Sequence, residues 1–137
     1  MYPILKFLTE LLGANGGLKV VSTSPALVTA TVTIADTASL SDAADLSALG
    51  VPIAIVTDAA WDTNAVTFQG SVDGVTFSDL RVTGTEVSIA GVVASSMEPL
   101  DPHQFLACQH LKVRSGTAAV AVAQAGDTVV TIVCRPI

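Results

Sequence analysis

The stretch TFQGSVDGVTFSDL, residues 67–80, sets an Asp-Gly pair between two runs in which polar and apolar residues alternate. A period of two puts successive side chains on opposite faces of a strand, and Asp-Gly favours the two-residue primed turns that join antiparallel strands. The reading is a hairpin in which Val72 pairs with Val75 and Gly70 with Phe77, so that Phe77 covers the bare backbone at Gly70. Phe68, Val72, Val75 and Phe77 then hold the sheet, while Thr67, Gln69, Ser71, Thr76 and Ser78 form a polar face directed to solvent. The same register sets Phe68 opposite Asp79, a mismatch that calls for a bulge or a strand end.

Outward from this hairpin the period of two continues. ALVTATVTIA (26–35) reads as a long strand with Val28, Val32 and Ile34 facing the core and Leu27, Thr29, Thr31 and Thr33 facing away. SLSDAADLSALG (39–50) is irregular, with Leu40, Leu46 and Leu49 as core plugs and Gly50 as its end. VPIAIVT (51–57) is nearly all apolar, as expected for a strand covered on both faces, and Pro52 suits only its entry or an edge. DAAWDTN (58–64) is a loop carrying Trp61. RVTGTEVSIAGVVASSMEPL (81–100) breaks at Gly84 and offers strands at 85–90 and 92–96. In LDPHQFLACQ (100–109), Asp101 is a candidate N-cap with Pro102 opening a short helical turn. HLKVRSG (110–116) places Leu111 and Val113 inward and Lys112 and Arg114 outward, and two last strands are expected around Ala125-Gly126-Asp127.

About eight short strands with frequent turn signals predict an all-β fold, an antiparallel two-sheet sandwich of jelly-roll type spanning 18–137. An immunoglobulin arrangement is the alternative, but Trp61 precedes both cysteines, against the Cys-Trp-Cys order that fold uses. Residues 1–17 form a separate N-terminal arm. Within it Ile4, Leu5, Leu8, Leu11 and Leu12 have helical spacing, with Pro3 suited to a first turn and Gly13 to a stop. So short an amphipathic helix needs a surface to fold on, either its own sandwich or a neighbouring subunit.

Composition bears on partners. Charged residues make up 13% of the 137, against roughly a quarter in ordinary soluble domains. The apolar excess comes from 20 Ala and 19 Val, and 15 Thr add to the β-branched content. A surface this poor in charge is suited to contact, because dispersed charges are what keep monomers apart. The formal net charge of −6 opposes a grip on phosphate backbones, so no nucleic-acid partner is expected. No run reaches the roughly 18 apolar residues of a spanning helix, and Glu10 interrupts the apolar start, so neither membrane anchor nor signal peptide is expected.

Chemistry is scarce. Cys108 and Cys134 read as buried thiols rather than a disulfide framework. Cys108 and His110 lie two apart, but Phe105, Leu106, Ala107 and Leu111 around them look like core, and no catalytic residue is assigned. His103, Cys108 and His110 match no familiar zinc spacing, and no metal or other cofactor is expected. Asp36, Asp58, Asp62, Asp73 and Asp127 stand singly at loop ends, as turn residues do. Trp61, flanked by Asp58 and Asp62, is the candidate platform for a glycan.

In order, the VPIAIV strand, the Trp loop, AVTFQGSVDGVTFSDL, TGTEVSIAG, LDPHQFLACQHLKVRSG and DTVVTIVCRP resemble the jelly-roll decoration, or cement, proteins of tailed-phage capsids. The likeness covers most of the chain after residue 30, and similar domains occur in phage neck and fibre components. It implies a non-enzymatic virion protein that stabilises a capsid by binding across major capsid protein subunits, assembled with copies of itself as a dimer or trimer. A carbohydrate-binding sandwich is the alternative of a different class. Under the decoration reading the partner interface is Leu5, Phe7, Leu8, Leu11 and Leu12 of the arm.

Overall fold

The computed structural model describes residues 26–137; the predicted arm helix, with Leu5, Phe7, Leu8, Leu11 and Leu12, lies outside them. The described strands are β1 (Val28–Ile34), β2 (Ala44–Asp45), β3 (Val51–Thr57), β4 (Asn64–Ser71), β5 (Ser78–Asp79) and β6 (Arg81–Val82). They continue with β7 (Thr85–Glu86), β8 (Ser88–Val92), β9 (Met97–Pro99), β10 (His110–Ser115) and β11 (Thr128–Arg135). One sheet runs β1-β11-β3-β9; the other runs β2-β10-β4, with β5 and β8 sharing the far edge of β4.

The pairings are nested. β1 lies beside β11, β2 beside β10, β3 beside β9 and β4 beside β8, all antiparallel. Rolling one long hairpin around a core generates this order, and it defines the jelly roll predicted from the turn spacing. The short β5, β6 and β7 are an insertion between the fourth and fifth strands of that roll.

β1 alternates as its sequence dictates, with Val32 and Ile34 buried and Thr29, Thr31 and Thr33 exposed. β3 is almost wholly covered. Pro52 sits where β9 no longer reaches, opposite Cys134 and beside a bulge in β3 that leaves Ile53 without a partner on β11, so its missing N–H disturbs only a ladder already irregular. Between the sheets Ile55, Val66, Leu111, Val113, Val130 and Ile132 are fully buried. Phe68 meets Phe105 edge to face at 5.1 Å between ring centroids. Phe105 reaches the core from a 3-10 turn over Pro102–Gln104, capped as expected by the Asp101 carboxylate, which accepts from the His103 N–H at 3.1 Å.

The hairpin at 67–80 departs from its predicted register. Gly70 pairs with Ser78 and Gln69 with Asp79, so residues 72–77 form a loop. Ser71 and Asp73 outcompete the primed turn. The Ser71 hydroxyl accepts from the N–H groups of Asp73 and Gly74, and the Asp73 carboxylate accepts from those of Val75 and Thr76. Phe68 thereby escapes Asp79 and enters the core, Val72 and Val75 swing out to solvent, and Cys108 rather than Phe77 packs on Gly70. The polar face is not uniformly wet either, since Thr67 and Ser71 are buried. A two-residue turn with positive φ at both centres does occur, at Thr83 (51°) and Gly84 (79°), joining β6 to β7.

Two further expectations fail. TAAVAVAQ (117–124) makes no long strand. Gly116, at φ 86°, turns the chain, one bridge to Ala121 follows, and Val120 stays exposed, leaving β11 as the single terminal strand. Arg114 does point to the outer face of β10, yet it is only 7% exposed, because the β5–β7 insertion folds over it.

Candidate interaction surface

The roll has two poles. At one, the backbone links 46–50 to 100–109 and 100–109 to β4, through Leu46 N–H to Gln109 O at 2.7 Å and Gln109 N–H to Ser71 O at 2.9 Å. At the other, loops 35–43, 58–63 and 117–127 are tied by aspartates. Asp36 accepts from Gly126 N–H, Asp127 from Asp36 N–H, Asp62 from Ala125 N–H, and Asp58 from Val129 N–H, each at 2.8–3.0 Å. Those carboxylates build turns, as read from the sequence. Among the described residues no three His, Cys, Asp or Glu side chains are grouped to hold a metal ion.

Trp61 belongs to this second pole, and its position corrects the glycan-platform reading. The ring is 3% exposed and packs in the core, and its Nε1–H donates to Val92 O at 2.9 Å. An indole whose face is spent on the sandwich has none to stack on a sugar.

Exposed apolar side chains occur at both poles, Val120 among them at the second, but the first carries the most exposed pair on one loop. Val72 is 71% and Val75 84% exposed, on either side of the Asp73-Gly74 tip. Hydrogen bonds from Thr76, Val75 and Ser71 hold the Asp73 carboxyl below its ordinary range and brace the loop that presents the two valines. Beneath the tip lies an open cleft of about 610 Å³, lined by Gly70, Ser71, Asp73, Asp79, Arg81 and Cys108 among others. Burial pushes the Cys108 thiol up, away from the thiolate a nucleophile needs. Lys112 Nζ stands 4.4 Å from the centre of the Phe77 ring and closes the loop's inner side. A second groove of about 380 Å³, between Val51, Ile53, Pro102, Leu106 and Pro136–Ile137, adds exposed Leu106 and Ile137 at the same end.

What sequence reading missed is an ion cluster on the outer face of β10, between the two poles. Arg114 donates from Nη2 to Asp79 at 2.6 Å and from Nη1 to Glu86 at 3.3 Å, and Glu86 also accepts from Ala118 N–H at 2.9 Å. One buried guanidinium thus clamps the insertion and the 117–127 loop to β10. The available signal was the Asp79 mismatch, an acid stranded in a hairpin with no cation yet assigned to it.

His103 sits at the surface against Asp101, at 3.2 Å, while the His110 ring packs under Gly74. No helix among the described residues is long and apolar enough to cross a membrane. No known protein-family model and no curated protein matches the chain, so any reading of its function rests on the jelly roll and on the apolar pole described above.

Proposed function

We propose that the protein is a non-enzymatic virion structural protein, one that decorates a phage capsid and stabilises it by bridging major capsid protein subunits. The observation that carries this reading is the braced tip that holds Val72 and Val75 in water. Two aliphatic side chains kept exposed on a braced loop have already met the entropy cost of ordering, which is how contact residues are made effective. The sparse charge supports it too, because a neutral surface meets a protein partner with little desolvation penalty. Burial of Trp61 withdraws the feature that favoured a carbohydrate module.

The test is cosedimentation with undecorated shells of the parent phage. Wild-type protein pellets with the shells, and Val72→Ser with Val75→Ser weakens binding about tenfold or more, from roughly 25 cal/mol for each Å² of apolar surface no longer buried. Binding unchanged by the double variant removes the tip from the interface. Failure of the wild type to pellet removes the capsid reading itself. Labelling of intact virions separates the capsid from the neck or fibre.

A further inference from the structure

Among the described residues β1 is an edge strand with one side unpaired. Thr33 donates its N–H to Asp42 Oδ1 at 2.8 Å, and Asp42 returns its own N–H to Thr33 O at 3.2 Å, so Thr33 directs both backbone groups away from β11. In an antiparallel ladder that direction repeats every second residue, so Thr29 and Thr31 also direct their N–H and C=O outward. Among the described residues nothing pairs with them.

Other edges are blunted. β9 has three residues and ends in Pro99, β2 and β5 have two each, and β8 carries Gly91 and a shift of register. β1 runs seven residues in unbroken register with no charge and no proline. An edge of that kind is a template for another strand.

We infer that β1 pairs antiparallel with β1 of a second copy across a two-fold axis at Thr29. The free window fixes the register. Asp42 closes it at Thr33, and the outward-facing positions left among the described residues are Leu27, Thr29 and Thr31. Thr29 lies midway among them, so a two-fold there sets Leu27 against Thr31, with the two Thr29 residues face to face. Leu27, 48% exposed, gains a neighbour for its methyls. Because 26–35 contains no ionisable side chain, two copies of net charge −6 meet there without like charges in contact. The pairing is a property of the free protein and needs no shell.

Light scattering on the full chain is expected to give a dimer, and Thr29→Lys to weaken it about a hundredfold by setting two cations face to face. An equimolar mixture of Thr29→Lys and Thr29→Glu restores the dimer, an outcome specific to a residue that opposes itself. Thr29→Cys gives a disulfide-linked dimer on oxidation, with circular dichroism confirming that each variant is folded. A monomeric wild type, or a dimer indifferent to Thr29→Lys, overturns the inference. So does a monomer whose β1 amides resist hydrogen exchange, which would put residues 18–24 of the same chain on the edge.

Discussion

Arg114→Leu is expected to lower the unfolding free energy by about 3 kcal/mol and the thermal midpoint by about 12 °C. Leucine fills the aliphatic part of the site, but Asp79 and Glu86 remain under the insertion without their cation. Breaking a fully buried pair costs about 3–5 kcal/mol, and the lower end applies because the Asp79 side chain is 31% exposed and partly screened. Adding Asp79→Asn and Glu86→Gln to Arg114→Leu should recover part of the loss, since the stranded charges are then gone. Calorimetry of the single and triple variants measures both effects.

The same cluster gives the acid limb of stability a predictable shape. Asp79 is held below the usual carboxylate range, first by its hydrogen bond from Arg114 and then by that from Gln69. Its folded value is therefore lower than the unfolded value of about 3.9, and it favours the folded state at every pH above that. The contribution fades as the pH drops below about 4 and is lost once the folded carboxyl is protonated. In Arg114→Leu the slope of stability against pH below 4 should flatten.

Gly50→Ala is the other large effect, about 4 kcal/mol. Gly50 ends the connection between the sheets at φ 101°, outside the range an L side chain adopts easily. A Cβ there would lie 2.2 Å from the backbone oxygen of Arg135 and 2.8 Å from the Cα of Pro136. Neither obstacle is a side chain that can rotate away. Relief requires moving β3 from β11, so the strain of positive φ adds to overpacking of a fixed backbone. Chemical denaturation of Gly50→Ala, beside Gly84→Ala as a control with open space around it, isolates the clash from the φ penalty.

Local chemistry decided which parts of this architecture could be read from the residues. β1 follows from alternation, the Pro102–Gln104 turn from Asp101 and Pro102, and β3 from its unbroken apolar run. Each is governed by neighbours in sequence. Residues 71–77 went astray because Ser71 and Asp73 supply side-chain acceptors that compete with the Asp-Gly turn, and pair preferences do not register that competition. In 117–124 both faces are apolar, with Ala119, Ala121 and Ala123 on one and Ala118, Val120 and Val122 on the other, so the pattern marks no single buried face to offset the ordering of a strand. Trp61 and Arg114 were misjudged for one reason, that both are covered by segments distant in sequence. For the interaction surface, the low charge pointed to contact, but the Val72–Val75 tip emerged only once the register was known.

Cys134 and Cys108 are unpaired thiols, the first inside the central strand β11 and the second pressed on Gly70, and burial raises both above the ordinary thiol value. A maleimide or disulfide reagent at neutral pH should therefore label half-buried Cys108, at the rim of the open cleft, slowly in the native protein, and buried Cys134 only when the sheets part. The delay between capture of Cys108 and capture of Cys134 would then time the parting of the sheets, a built-in stopwatch for how the molecule comes apart.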